Sequence, residues 1–313
     1  MWLALFQIII FPGFLFLGAM SLVFEYVDRK LYARMQNRVG PPWYQPLADL
    51  VKLLSKEAII PSEAEPRLFS AIPVFAFAAT CAAFLYIPIW GTTSLMPFSS
   101  DLIVVMYFLT VPTLTFFLAG WFSSSLYAEL GSIRAMTQFF AYEVPLYMSL
   151  LGPALLAGSW SISDITAFYQ ANPLLTLVNI PGLFVALVAT QGKLERVPFD
   201  IPDAETEIVG GTFTEYSGRL LAMFRMTIDS ELVVMAALFS AIFFPFYIPG
   251  NAVLGLLVFL IKVLFVVVLL TIMRTAFARL RIDQMISFCW KVLAPVSLAQ
   301  VLIDLIVKGA LPI

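Results

Sequence analysis

Residues 191–224 read QGKLERVPFDIPDAETEIVGGTFTEYSGRLLAMF and lie between two long apolar runs. This segment holds six of the 20 acidic residues of the chain, although only 12% of all residues are charged. Charges beside apolar spans are costly unless they are solvated, paired or protonated. One interpretation is a solvated acidic loop. The other is a set of buried carboxyls that relay protons, which the interleaved Phe199, Ile201 and Phe213 favour.

The composition of the whole chain predicts an integral membrane protein. Hydrophobic residues make up 61% of its 313 residues, and the mean hydropathy is +0.94. About a quarter of a soluble domain is charged, so a soluble globule is excluded. The apolar segments suit helices of about 20 residues rather than the alternating strands of a barrel. The predicted fold is all-α, with residues 1–313 as a single polytopic membrane domain.

Eight membrane spans are predicted from the apolar runs. They are Trp2–Val23, Phe69–Trp90, Leu102–Trp121, Gln138–Leu156, Leu174–Thr190, Leu232–Tyr247, Val253–Ile272 and Trp290–Val307. The first run exceeds the apolar region of a signal peptide, so we expect it to be retained. Lys and Arg occur in every second loop, which predicts cytoplasmic loops at about 24–68, 122–137, 191–231 and 273–289 and both termini outside.

Residues 46–61 in the first of these loops are amphipathic. Leu47, Leu50 and Leu54 fall on one helical face, while Asp49 and Lys52 lie elsewhere. This pattern predicts a helix of about four turns on the membrane surface or under a partner protein.

Glu143 is the most conspicuous single charge, because it falls well inside the fourth predicted span with Pro145 two residues on. An ionised carboxylate at that depth is expected to face the protein interior, to pair or to hold a proton. A proton-carrying role is one interpretation. A structural carboxyl satisfied by Arg134 or by a hydroxyl is the other. Asp304 and Lys262, in the last two spans, are weaker candidates that packing or ion pairing also explains.

The acidic segment itself divides into a turn and two helical elements. The turn VPFDIP at residues 197–202 is followed by Asp203, which is predicted to cap a helix carrying Glu205 and Glu207 in its first turns. Gly210 and Gly211 interrupt this helix, and residues 215–218 lead into the sixth span.

The chain has no His, and its two cysteines, Cys81 and Cys289, lie far apart in apolar surroundings. Haem, iron–sulfur and zinc sites need His or clustered Cys ligands, so no metal site and no catalytic centre are expected in this chain. The basic loop that contains Arg274, Arg279 and Arg281 suits lipid headgroups, an acidic partner or the acids of the central segment.

Five motifs together resemble one known family. They are RMQNRVGP (34–41), DLVKLLSKEAIIP (49–61), GSIRAMTQFFAYEV (131–144), ERVPFDIPDAETEIVGG…TEYSG (195–218) and RLRIDQMISFCWKVLAP (279–295). In this order they resemble the H-type membrane subunit that forms the floor of the quinone chamber in complex I. Homologous subunits serve in energy-converting membrane-bound hydrogenases and in sulfane reductase complexes.

The resemblance assigns roles to individual residues. The candidate proton path comprises Glu143, Glu205, Glu207, Glu215, Asp229 and Glu231. The candidates for docking the redox module or lining the chamber are Arg34, Arg38, Lys52, Lys56, Glu57, Arg134, Lys193, Glu195, Arg196, Asp200, Arg279, Arg281, Asp283 and Lys291. No metal ligand and no catalytic residue is assigned.

Two departures from the quinone-reducing members point to a different electron acceptor. Lys193 stands where those members carry a carboxylate, and residues 224–238, FRMTIDSELVVMAAL, are more similar to the hydrogenase-type members. The resemblance therefore implies a proton-coupling subunit of a ferredoxin-linked hydrogenase or sulfur reductase in a prokaryotic cytoplasmic membrane. A quinone-chamber subunit is the first alternative. A self-contained ion transporter is another, and inverted repeats would favour it.

The same resemblance implies the partners. They are hydrogenase-like large and small redox subunits, an iron–sulfur subunit, antiporter-like and small membrane subunits, and the lipid bilayer, with no nucleic acid. Iron–sulfur clusters, and a nickel–iron centre if the complex is a hydrogenase, would lie in those partner subunits. A quinone is the cofactor that the two departures disfavour.

Overall fold

A computed structural model of the chain describes residues 2–202, 207, 209–248 and 251–310, which form helices and connecting segments without a β-strand among them. The helices are α1 Trp2–Ile9, α2 Phe14–Met35, α3 Gln45–Ser55, α4 Pro66–Leu85, α5 Asp101–Trp121, α6 Leu126–Ala157, α7 Ile162–Ala171, α8 Ile180–Lys193, α9 Gly218–Ile242, α10 Ala252–Ala276, α11 Ile282–Phe288 and α12 Ala294–Ala310. A π-helical segment, Cys289–Leu293, joins α11 to α12. The predicted all-α membrane class is confirmed.

In the part of the chain that the structure describes, seven helical segments are long and apolar enough to cross a membrane. The sixth predicted span falls in α9, which has 25 residues and so extends about 37 Å at the usual rise of an α-helix. Its first fourteen residues include Arg219, Arg225, Asp229 and Glu231, which separates it from the seven more apolar segments. The count of eight spans and the outward termini remain predictions.

Helix α9 forms the centre of the molecule. Every residue from Ser230 to Ile242 is buried, and the helix packs against α2, α4 and α10. A helix that is apolar on all sides is typical of a core position, surrounded by other helices. The other spans, α5, α6, α8 and α12, pack mainly on one another, with α5 against α4 and α6, and α6 against α8 and α12.

Two helices extend well beyond their apolar runs. Helix α2 continues to Met35, although the predicted span ends at Val23, and α6 begins at Leu126 rather than at Gln138. The added part of α2 contains Glu25 and Asp28, which are both buried and find charged partners inside the protein. Because these charges are neutralised by ion pairs rather than by water, hydropathy alone ends α2 too early. It also begins α6 too late.

The first predicted span is broken near its middle. Helices α1 and α2 are separated at residues 10–13, where Pro12 precedes Gly13. The backbone of Gly13 packs so closely against the carbonyl group of Ile8 that no side chain would fit there. Proline and glycine at this point interrupt the helix.

The amphipathic surface helix is confirmed as α3, with three turns rather than four. Leu47 and Leu54 are half-exposed or more, and Asp49 accepts a hydrogen bond from Arg29 at 2.9 Å.

The connection between the fourth and fifth predicted spans contains α7, which the apolar runs did not predict. Its first backbone N–H, at Ile162, donates to the buried carboxylate of Asp101 at 2.5 Å.

Part of the acidic segment lies outside the described residues, namely Asp203–Thr206 and Ile208. The helix predicted to be capped by Asp203, and with it Glu205, is therefore not described.

Beyond this gap a 3-10 turn, Gly211–Phe213, leads to α9. Gly218, the first residue of α9, has a φ of +56°, and an added Cβ would lie 2.6 Å from the carbonyl oxygens of Lys56 and Glu57.

Replacing Gly218 with alanine should therefore loosen the contact between the first loop and α9. A positive φ together with a backbone clash is expected to lower the free energy of unfolding by about 1–3 kcal/mol. The measurement is the thermal denaturation midpoint of the complex in mild detergent. Gly309→Ala is the matched control, since nothing lies within 4 Å of an added Cβ at that position. Equal midpoints for the two variants would contradict this account of Gly218.

Candidate functional site

A charged cavity lies where α2, α9 and α10 meet the segment that follows α8. Its volume is about 430 Å³. The lining residues are Glu25, Asp28, Arg29, Leu194, Glu195, Arg196, Val197, Asp200, Arg225, Ile228, Asp229, Arg274 and Arg279. Most of these side chains are charged, so the cavity differs sharply from the apolar helices around it.

Asp28 is the most strongly bound charge of the cavity. One of its carboxylate oxygens, Oδ2, lies 3.0 Å from Arg196 and 2.8 Å from Arg274, and Oδ1 accepts a hydrogen bond from Thr271 at 2.7 Å. Only 1% of Asp28 is exposed. Asp28 on α2 thus pairs with one arginine from α10 and one from the segment after α8. These ion pairs join the three elements.

Arg29, one residue further along α2, connects the cavity to the surface helix α3. It forms ion pairs with Glu25, one helical turn earlier, and with Asp49 of α3 at 2.9 Å. Glu25 and Asp229 of α9 line the same cavity, which brings two carboxyl groups from different helices to one site.

Two further ion pairs lie at the edge of this site. Arg279 pairs with Asp200 at 3.4 Å and also donates to the backbone carbonyl of that residue. Arg134 on α6 pairs with Glu207 at 2.6 Å. The hydrogen bond and the positive charge of Arg134 hold the pKa of Glu207 below its usual value. Both pairs are partly exposed, so they orient loops more than they stabilise the fold.

Lys193 and Glu231 form an ion pair in the protein interior. Their exposed fractions are 3% and 1%, and Lys193 Nζ lies 3.0 Å from Glu231 Oε1. Lys193 also donates to the Leu109 carbonyl group and to Thr113 Oγ1, both on α5. The ammonium group is thus fully used within the membrane-spanning helices. The resemblance groups Lys193 with the docking and chamber residues, but its side chain is not exposed to a partner.

Glu143 lies close to this pair. A small void of about 10 Å³ is lined by Tyr142, Glu143, Tyr147 and Lys193 among others. That volume approaches the space needed for one water molecule. Tyr147, which lines the same void, donates its hydroxyl hydrogen to the Met106 carbonyl at 2.9 Å. Glu143 faces the protein interior, and neither Arg134 nor another cation forms an ion pair with it among the described residues.

The predicted site residues fall into three groups. The exposed members are Arg34, Arg38, Lys52, Lys56, Glu57, Arg279, Arg281, Asp283 and Lys291. The members at the charged cavity are Glu195, Arg196, Asp200, Asp229 and Arg279, which reaches it from the exposed side. Glu231 and Lys193 are paired in the interior, and Glu143 lies beside them. Glu215 is half-exposed and contacts none of the other candidate carboxyls that the structure describes.

Sequence reasoning missed Glu25 and Asp28, because the first cytoplasmic loop was predicted to begin at residue 24. A signal for them does exist. Glu25, Asp28 and Arg29 are spaced by three and four positions, which places them on one face of a helix that continues the first span. Within the described residues, no group of three or more His, Cys, Asp or Glu side chains is arranged to hold a metal ion.

The fold and the site define a class of protein: a multi-pass membrane subunit with a charged cavity at one end and ion pairs buried among its helices. Comparison with known proteins identifies the family. The family model described as NADH dehydrogenase matches residues 6–305. The chain belongs to this family, which comprises the H-type membrane subunit of complex I and its relatives.

Individual relatives support this assignment. The chain is 35% identical over 302 residues to the H subunit of NADH-quinone oxidoreductase from Dehalococcoides mccartyi strain CBDB1, covering 95% of this chain and 84% of the relative. The protein of the same name from Brevibacillus brevis is 36% identical over 301 residues, covering 90% and 87%. A chain in the solved structure of the membrane-bound sulfane sulfur reductase, an archaeal respiratory membrane complex, is similar with a TM-score of 0.84 and 26% identity, covering 93% of this chain and 96% of that one.

The buried pair of Lys193 and Glu231 generates a stability prediction. Lys193→Met leaves Glu231 buried without its cation, which is expected to lower the free energy of unfolding by about 3–5 kcal/mol. The double variant Lys193→Met with Glu231→Gln should recover most of that loss, because no unpaired charge then remains. Thermal denaturation of the purified complex measures both, with the exposed Arg67→Met as the control. A double variant no more stable than Lys193→Met would contradict the pairing.

Proposed function

We propose that this chain is the membrane-anchor and proton-coupling subunit of a complex I-like, ferredoxin-linked oxidoreductase of the membrane-bound hydrogenase or sulfur and sulfane reductase type. In this proposal the chain links a cytoplasmic redox module to ion-pumping, antiporter-like subunits in a prokaryotic cytoplasmic membrane. The iron–sulfur clusters, and a nickel–iron centre if the complex is a hydrogenase, belong to the partner subunits.

One observation carries the proposal: ionisable groups extend from the charged cavity into the helical interior. Asp28, Arg196 and Arg274 form one cluster. In the second, Lys193 pairs with Glu231, and Lys193 and Glu143 line the void of about 10 Å³. Leu194 and Glu195, the two residues after Lys193, line the charged cavity. The backbone thus joins the two clusters directly, so a change of charge in the cavity acts on the interior pair at short range.

The physical basis for coupling is the cost of an unbalanced charge in this environment. Among residues shielded from water, charge–charge interactions are stronger than at a solvated surface. When a redox partner alters the charge or position of the cavity loop, Lys193 and Glu231 must respond by moving or by exchanging a proton with Glu143. The nine exposed docking candidates, which include Arg34, Lys52 and Arg281, provide the surface for that partner.

The ferredoxin-linked type rests on two supports. The chain in the sulfane reductase complex matches nearly the whole length of this chain, with a TM-score of 0.84. The second support is Lys193 itself, which occupies the position where we expect a carboxylate in the quinone-reducing members.

Glu143→Gln tests the proton-coupling role, because glutamine keeps the size and the hydrogen bonds of the side chain but cannot release a proton at neutral pH. We expect the complex to assemble and to lose ion pumping in proteoliposomes, measured with a pH-sensitive dye during electron transfer. Glu65→Gln, an exposed substitution, is the control and should pump normally. Unchanged pumping in Glu143→Gln would contradict the proposal.

A second candidate function is favoured by a specific observation, a groove that suits an amphipathic ligand. An apolar groove of about 420 Å³ lies between α2, α3 and α9 and includes Gly18, Leu22 and Met226. It shares Leu22 and Met226 with a more polar cavity of about 400 Å³, which in turn shares Glu25 and Arg29 with the charged cavity. A quinone has a polar head and an apolar tail, and the curated relatives are named as NADH-quinone oxidoreductase subunits.

Gly18→Leu distinguishes the two candidates. An added Cβ at Gly18 would lie 3.4 Å from the flexible end of Met226, so a leucine fills the groove without a backbone clash. If a quinone uses this groove, quinone-dependent electron transfer by the complex should fall at least tenfold. If the ferredoxin-linked function holds, ferredoxin-dependent reduction of protons or sulfur compounds should stay within twofold of the unmodified complex. Gly309→Ala serves as the control for both assays.

A further inference from the structure

A second buried carboxyl group, Asp304, lies far from the charged cavity. It belongs to α12 and is fully buried. The helical segment Ile282–Ala310 begins next to Arg279, which lines the charged cavity. At the usual rise of an α-helix, the distance along this segment from Ile282 to Asp304 is about 33 Å, roughly the thickness of a bilayer. Asp304 therefore lies toward the opposite side of the membrane from the cavity.

Asp304 has no cationic partner among the described residues. Lys308 follows one turn later on the same helix, but its ammonium group donates to the Leu155 carbonyl oxygen at 2.8 Å. The other titratable group nearby is Tyr169 of α7. The facing helices α6 and α8 present Gly152 and Gly182. An isolated carboxylate in such surroundings is strongly disfavoured unless it binds a cation or a proton.

The hydrogen bonds around Asp304 come from one donor group, the side-chain amide of Gln300. Gln300 Nε2 lies 3.0 Å from both carboxylate oxygens of Asp304, 3.0 Å from the Val178 carbonyl oxygen and 3.3 Å from Asn179 Oδ1. A side-chain amide has only two hydrogens, so these four contacts share them and none of them neutralises the carboxylate charge. Gln300 Oε1 is buried and has no donor. Turning the amide over would place its oxygen against the Asp304 oxygens, and that contact requires a proton on Asp304.

We propose that Asp304 is a proton-binding site whose carboxyl group is protonated at neutral pH within the cage formed by Gln300, Val178 and Asn179. The proton removes the charge that no cation among the described residues balances. The inference does not depend on the proposed function of the charged cavity.

The surroundings connect this site to a longer hydrogen-bonded chain. Asn179 donates to the hydroxyl of Tyr169 at 2.8 Å, and that hydroxyl donates to the Pro153 carbonyl at 3.1 Å. Gly152 allows the close approach of α6, since an added Cβ there would lie 2.5 Å from Asp304 Oδ2. Helices α6, α7 and α12 thus meet around the carboxyl group of Asp304.

Infrared difference spectroscopy of the reconstituted complex tests the proposal. The spectrum of the unmodified complex minus that of Asp304→Asn at pH 7 should contain the carbonyl stretching band of one protonated carboxyl group. The band should be the same with sodium or potassium as the only salt. Glu65→Gln is the control and should remove only the bands of an ionised carboxylate.

Two results would overturn the proposal. One is a difference spectrum that contains ionised carboxylate bands instead. The other is a protonated band that disappears on adding sodium, which would assign the site to a metal cation. If Asp304→Asn does not assemble, Gly152→Ala serves in its place, because it displaces the carboxyl group without removing it. A shift of a protonated band in that variant supports the proposal, and a shift of ionised bands contradicts it.

Discussion

The ion pairs of Asp28 with Arg196 and Arg274 are the interaction on which the charged half of the molecule depends. An unpaired charge buried this deeply costs several kcal/mol, so the three side chains are stable only when all of them are present. They belong to α2, α10 and the segment after α8, and pairing therefore holds these elements together. The cavity is the space that remains around the pairs.

The same constraint explains how polar groups are distributed through the rest of the chain. Lys193 can be buried because it forms an ion pair with Glu231. It also donates a hydrogen bond to Thr113 of α5. Lys262 is satisfied differently, since it donates to the carbonyl groups of Ser240 and Phe244 at the end of α9 and so stabilises that helix terminus. Each of these two buried lysines thus lies where a carboxylate or carbonyl groups accept its hydrogen bonds.

Much of the fold could be predicted from the sequence, because long apolar runs allow little besides membrane helices. The amphipathic α3 and the interior-facing Glu143 also follow from periodicity and depth. Helix ends could not be predicted, since α2 extends through charges whose partners are distant in sequence. The burial of Lys193 was missed for the same reason: only the tertiary structure brings Glu231, 38 positions later, to within 3.0 Å.

The measurement that tests the account most directly is mass spectrometry of the intact complex, isolated in mild detergent through a tag on this chain. The account predicts iron–sulfur redox subunits and antiporter-like membrane subunits in defined stoichiometry, bound through the exposed loops that carry Arg34, Lys52 and Arg281. A chain that purifies alone from the membrane and moves ions by itself in liposomes would contradict it.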